Sequence, residues 1–350
     1  MQPRCWTMPQ HCASWANGSK RSTRPTPARP TGWRQRRFRS PPAALPKSLP
    51  SKVAPEVSVI IATRDRAAML QRCLRTLLRQ SAVGRFEIVV ADNGSSDDTQ
   101  RVLAEHRSAA ASIDVALREL PVPEPSRAKA RNAAVAKAAG DIVLFCDDDT
   151  IVPQHFVARH LDEHRRAQRL VVSGPIVNVP DPEALPPPGA RHYSRAFFCT
   201  CNASVRRSEL EAAGGFDERY DLYGWEDTDL GIRLKARGLV RVFCRQAYIY
   251  HVKPAMTTTL GRRRALAVEK GKMAGLFVRK SPSWPVKLAT GAYAANFARA
   301  RLLHAPPLRA LYEQLAAPER HDSTLKALAT EALVDAAYVD ALRGALRTHA

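Results

Sequence analysis

The feature that most constrains this chain is a series of short apolar segments, each ending in carboxylates or a polar turn and each followed by a helical pattern. Val57-Ser-Val-Ile-Ile-Ala62, Phe86-Glu-Ile-Val-Val-Ala91 and Ile142-Val-Leu-Phe-Cys146 are too short for helices and bounded by turn residues, so they read as buried strands. A further strand lies near Ile113–Leu120. Between them, Met69, Leu70, Cys73, Leu74, Leu77 and Leu78 recur at helical spacing, and a second helix runs to about Arg107. Alanine-rich Arg127–Ala139 is the next helix, with Gly140 as its stop. Apolar strands alternating with helices predict an α/β fold with a mostly parallel central sheet covered on both faces. In such sheets ligands gather at the carboxyl ends of strands. Those ends read Thr63-Arg-Asp65, Asp92-Asn-Gly94 and Asp147-Asp-Asp149, which places acids where a ligand should bind.

Beyond Asp149 the alternation loosens. The spacing predicts a helix over 153–166, a strand over 170–177, a Pro-rich loop over 178–194 and a strand near 197–205. The acidic stretch Asp221–Asp229 precedes a helix to about Arg237, and Leu239–Tyr250 is apolar again. From Leu260 the pattern is helical and broken by prolines, with a terminal amphipathic helix over 325–346. Three regions follow: a disordered basic, Pro-rich leader over 1–55, an α/β domain over 56–255, and a basic helical extension over 256–350.

Charge supports that division. The net charge of +21 is concentrated in residues 1–52, at +11, and 261–310, at +10, whereas 53–260 carries only +2. The leader has scattered arginines and few aromatics, so nucleic-acid binding by the basic flanks is the weaker reading. In 261–310, Arg262–Arg264, Lys270, Lys272, Arg279 and Lys280 interleave with Leu266, Met273, Leu276 and Phe277. That pattern fits either peripheral contact with anionic lipid or a solvated helix packed on the core. No apolar run approaches the ~18 residues of a spanning helix, and no apolar core marks a signal peptide. Seven cysteines lack the paired spacing of a zinc ribbon. The expected setting is therefore reducing and cytoplasmic, with the inner face of the membrane as a further site. Cys199 and Cys201 flank Thr200 and either share a pocket wall or are two small strand residues.

Asp147-Asp148-Asp149 carries the chemistry. Adjacent carboxylates after a buried strand repel one another unless a cation or protons neutralise them. Alternate residues of an extended segment point the same way, so Asp147 and Asp149 can share a ligand while Asp148 faces elsewhere. Two hard oxygen donors suit Mg²⁺ or Mn²⁺ held jointly with substrate phosphates. Trp225 offers an apolar face on which a ligand ring could stack.

Val57–Arg66, Val90–Thr99, Ala130-Arg-Asn132 and Phe145–Asp149, taken in this order and at these separations, resemble the family 2 glycosyltransferases of the GT-A fold. Gly214-Gly-Phe-Asp-Glu218 and Gly224-Trp-Glu-Asp-Thr-Asp-Leu230 resemble the acceptor segment of galactosyltransferase-like members. The likeness spans roughly 56–254 and departs at Ala62, where the family commonly has proline. It implies a sugar transfer, with inversion, from a nucleotide-diphospho-sugar to a saccharide or lipid-linked hydroxyl acceptor, assisted by Mn²⁺ or Mg²⁺. Asp92 would accept a hydrogen bond from the nucleotide base, with Thr63 and Arg64 beside it, unless it only forms an Asx turn. Arg127 or Arg131 would reach the base or diphosphate, or stand as a solvated helix charge. Asp147 corresponds to the ribose or metal contact and Asp149 to the principal metal ligand. His251 corresponds to a further ligand, although a structural histidine fits the residue equally well. Asp227 matches the catalytic base and Glu226 the acceptor-binding neighbour, where a helix N-terminus would also collect acids. A nucleotidyltransferase is the competing enzyme class, but no Gly-rich, basic phosphate loop occurs at Ala62–Arg66.

Overall fold

The computed structural model describes residues 54–82, 85–123, 126–189, 196–253, 259–318 and 323–348. The leader up to residue 53, part of the Pro-rich loop and the 255/256 boundary lie outside the described residues. From Val53 onward the chain forms one compact unit. In chain order its elements begin β1 (Val57–Thr63), α1 (Ala67–Leu77), β2 (Phe86–Asp92), α2 (Thr99–Ala111), β3 (Ala116–Pro121), α3 (Arg127–Lys137) and β4 (Ile142–Cys146). Next come β5 (Thr150–Ile151), α4 (Phe156–Arg166), β6 (Leu170–Ser173), β7 (Ile176–Val179), β8 (Asn202–Arg206) and α5 (Arg207–Ala212). The chain continues with α6 (Glu226–Ala236), β9 (Val240–Phe243), β10 (Ile249–Val252) and α7 (Leu260–Lys280). It ends in α8 (Trp284–Thr290), α9 (Ala294–Leu303), α10 (Pro306–Leu315) and α11 (Thr324–Arg347).

A seven-stranded sheet has the order β3-β2-β1-β4-β8-β6-β9. The strands β1 to β4 are parallel, while β8 runs antiparallel to both neighbours, so the sheet is mostly parallel. Alternate residues serve opposite faces. Val57, Val59 and Ile61 of β1 pack with Leu70, Leu74, Val102, Phe156 and Leu161, whereas Ile60 joins Ala130, Ala134, Phe145, Phe198 and Leu230 on the other side. Each fully buried leucine or isoleucine contributes roughly 1.5–3 kcal/mol, which is why these strands carry apolar residues on both faces. Order reverses between β1 and β4, the switch point where a ligand crevice opens.

Two local expectations are corrected. Helix α3 ends at Lys137 with Ala138 already extended, so Gly140 is not its stop. A Cβ on Gly140 would lie 2.7 Å from the Ser58 backbone nitrogen; the glycine lets this loop press on β1, where its N–H donates to Ser58 Oγ at 2.9 Å. The strand expected over 170–177 is broken at Gly174-Pro175 into β6 and β7, which belong to different sheets. A Cβ on Gly174 would meet the Ala247 carbonyl oxygen at 1.8 Å, so the break admits the turn that precedes β10.

The second sheet, β5-β10-β7, positions the site. Strand β5 follows the triple aspartate directly, and its antiparallel pairing sets His251 opposite Thr150. The helical region packs on this body. Trp225, Tyr220, Phe277, Met273 and Leu342 form one apolar cluster, and Lys280 of α7 pairs with Asp229 at 2.8 Å and Asp217 at 2.6 Å. Arg263 and Arg264 pair with Glu331 and Glu313, so part of the basic stretch serves internal ion pairs. Among the described residues, no helix is long and apolar enough to cross a membrane.

Candidate active site

The carboxyl ends of β1 and β4 are cross-linked by side chains. Thr63 Oγ1 donates to Asp148 at 2.8 Å, and Arg66 Nη1 reaches Asp148 at 3.0 Å and Asp149 at 3.1 Å. The repulsion among three aspartates is thus relieved partly by a cation from the chain itself. Burial pushes the Asp148 carboxyl up to about 6, against the opposing pull of Arg66. Asp148, expected to face elsewhere, shares the Arg66 guanidinium with Asp149. Asp149 Oδ1 stands 3.1 Å from His251 Nε2, yet this buried oxygen holds no aligned hydrogen bond.

Asp147, Cys201 and His251 each place a ligand atom within 4.8 Å of the others. That group holds Asp147 and His251 of the expected set with Cys201, whereas Asp149, expected as the principal ligand, is outside it and stands beside His251. An orphaned buried carboxylate oxygen beside an imidazole nitrogen fits a divalent cation, and Mn²⁺ accepts both donor types. Cys201 is 5% exposed, and burial followed by nearby Asp147 holds its thiol well above the ordinary range.

The second cluster sits at the start of α6. Gly224 and Trp225 both have positive φ, at 100° and 76°, which turns the chain sharply so that Glu226 and Asp227 open the helix. Arg131 Nη1 bonds Glu226 at 3.1 Å and lies 3.8 Å from Asp227 Oδ1, while Nη2 lies 3.7 Å from Asp147. Arg131 is buried above the Phe216 ring, and the three surrounding acids raise its already high pKa despite burial. It joins the two clusters instead of standing as a solvated charge. Asp227 Oδ2 accepts from both the N–H and the hydroxyl of Thr200, each at 2.9 Å. Its Oδ1 is buried without a hydrogen bond. Burial, opposed by Arg131 and assisted by Glu226, pushes this carboxyl up to about 6. Such a group can hold or release a proton near neutrality.

Other expected residues lie at the rim. Asp92 is buried and accepts from Ser95 N–H, three residues on, at 2.9 Å and from Gln100 Nε2 at 2.8 Å. Arg64 is half-exposed beside Asp65 at 3.6 Å. Arg127 covers the Tyr223 ring at 5.2 Å. Trp225 differs from expectation. It is 8% exposed, packed on Phe277, covered by Lys270, and its Nε1 donates to the Lys270 carbonyl at 3.0 Å. Its ring is a packing element that offsets the strained backbone, and the aromatic presented here is Tyr223, 40% exposed. Arg66, Thr200 and Cys201 were the participants that residue patterns did not single out for these roles.

Residues 58–216 match the family model "Glycosyl transferase family 2", and 184–254 match "N-terminal domain of galactosyltransferase". An uncharacterised glycosyltransferase of Bacillus subtilis is 27% identical over 53% of this chain and 61% of its own length. A validoxylamine A glucosyltransferase of Streptomyces hygroscopicus is 29% identical over 55% of this chain and 54% of its own. The chain thus spans little more than half the length of these relatives. A mannosyltransferase of Pyrobaculum calidifontis, solved with GDP-Man and Mn²⁺, superposes with a TM-score of 0.57 at 21% identity, covering 85% of this chain and 90% of that one. That likeness shows the fold, which is GT-A. The two family matches overlap at 184–216 and together span 58–254, so this part of the chain is similar to the family 2 glycosyl transferases.

Proposed function

We propose that this chain transfers a sugar from a nucleotide-diphospho-sugar to a hydroxyl acceptor, with inversion and with a divalent cation, Mn²⁺ or Mg²⁺. The observation that carries the reading is Asp227, with one oxygen pinned by Thr200 and the other buried without a hydrogen bond beside Arg131. A carboxylate so held can take the acceptor hydroxyl's proton as that oxygen attacks the anomeric carbon. Thr200 fixes its orientation, and Arg131 holds Glu226 ready to bind the acceptor while keeping the acids from repelling one another.

When bound, a divalent cation supplies Lewis-acid neutralisation of the departing diphosphate; Asp149, His251 and Asp147 are the residues that would hold it. Asp92 serves the nucleotide base through lone pairs left beyond its two internal hydrogen bonds. GDP-Man and Mn²⁺ in the Pyrobaculum calidifontis enzyme support donor class and cation alike. Trp284 and Leu302, 59% and 72% exposed on helices of the basic 261–310 stretch, favour a lipid-linked acceptor at a membrane surface.

A panel of nucleotide sugars, each with and without Mn²⁺, tests the donor half by thermal unfolding, since a ligand of the native state raises the midpoint. At least one should stabilise the protein only with the cation. Stabilisation by none, or equally without metal, contradicts the reading.

A further inference from the structure

We propose that Cys201 is a soft ligand of the divalent-cation site, making with Asp147 and His251 a mixed carboxylate–thiolate–imidazole centre that takes Zn²⁺ or Cd²⁺ in preference to Mg²⁺. The inference rests on the cation site described above and adds a donor that the oxygen-and-imidazole set lacks. Its basis is placement: the three ligand atoms lie within 4.8 Å of one another, the thiol buried and the carboxylate and imidazole partly exposed.

The thiol is held there firmly. Cys201 lies in a turn closed by Asn202 N–H donating to the Cys199 carbonyl at 3.1 Å. Asn202 is anchored in turn, its Oδ1 3.0 Å from His160 Nε2 and its Nδ2 donating to the Ala247 carbonyl at 2.8 Å. Ser204 Oγ, two residues on, lies 2.8 Å from both His160 Nδ1 and His164 Nε2. This buried polar cluster ties the start of β8 to α4 and to the turn before β10, so Cys201 and His251 share one support. The same turn presents Thr200 to Asp227.

Ligand softness gives the consequence. Mg²⁺ seeks hard oxygen donors, imidazole suits several transition ions, and thiolate selects softer ones. On binding, the sulfur–hydrogen bond is exchanged for a sulfur–metal bond and the proton passes to buffer; no oxidant or reductant takes part.

The test uses the full chain and Cd²⁺ alone, followed by the ultraviolet thiolate-to-cadmium charge-transfer band and by calorimetry. Wild type should give a band at the site that excess Mn²⁺ displaces, while any band from Cys5 or Cys12 is shared by every variant. Cys199→Ser should retain the displaceable band and Cys201→Ser should lose it. Removing a direct ligand should lower Cd²⁺ affinity by at least the roughly 10–100-fold that loss of an outer-shell partner costs, with Mn²⁺ affinity falling less. Cys201→Ala is the second variant, and a thermal midpoint in chelator establishes that both fold. If Cys201→Ser keeps the band and the affinity, the thiol is a bystander and the inference falls while the cation site stands. If neither Cd²⁺ nor Mn²⁺ binds wild type, the cation site falls and the inference with it.

Discussion

Two acidic clusters meet in this molecule, and each is answered by one arginine, yet they are built for different work. At the end of β4, Arg66 faces Asp148 and Asp149 from a half-exposed position, with 49% of its side chain open to solvent. At the start of α6, Arg131 is buried among Asp147, Glu226 and Asp227, with 10% of its side chain exposed. In the first cluster an orphaned oxygen stands beside a histidine nitrogen, which suits a cation. In the second, the orphaned oxygen belongs to a carboxyl whose pKa is pushed up to about 6, which suits a proton. Similar composition is thus divided by what lies opposite: a strand bearing His251, or a turn bearing Thr200.

The largest expected effect comes from breaking the cation side. Asp149→Ala should abolish metal-dependent stabilisation by the donor and reduce transfer to background, while the metal-free midpoint falls only slightly, through loss of the pairing with Arg66 and His251. Undiminished turnover would show that the cation sits elsewhere. The two arginines sharpen the contrast in stability. Arg131→Met leaves buried acids uncompensated and should cost about 3–5 kcal/mol in denaturant unfolding. Arg66→Met removes a solvent-screened partner and should cost no more than about 1 kcal/mol. Equal losses would erase the distinction. The smallest effect is the pH profile. Asp227 must be ionised to act as base, so transfer at saturating acceptor should level off above pH 6 and fall about tenfold per unit below it. A profile flat down to pH 5 would remove Asp227 from that role.

The first cluster was largely legible in the sequence because its cause is local: a strand apolar on both faces, ending abruptly in acids. The Gly174-Pro175 break was missed, although proline cannot continue a central strand and so carries the signal. Other features depend on distant partners. His251 reaches Asp149 through the pairing of β10 with β5, across a hundred intervening residues that carry no periodic signal of that contact. Trp225 is covered by Phe277 and Lys270 of α7, about fifty residues away in sequence, so its burial has no local signal. Arg66 ends the Val57–Arg66 segment, but its charge acquires meaning only when β1 and β4 lie side by side.

The most direct measurement of the division between clusters is Asp227→Asn, assayed by donor calorimetry with Mn²⁺ beside transfer rate at saturating acceptor. The amide preserves size but cannot take the hydroxyl's proton. Donor and cation affinity should stay near wild type while transfer falls by ~10²–10⁴-fold, the usual contribution of a positioned base. Binding that collapses together with rate would place Asp227 in the cation site and contradict the division, as would a rate left unchanged.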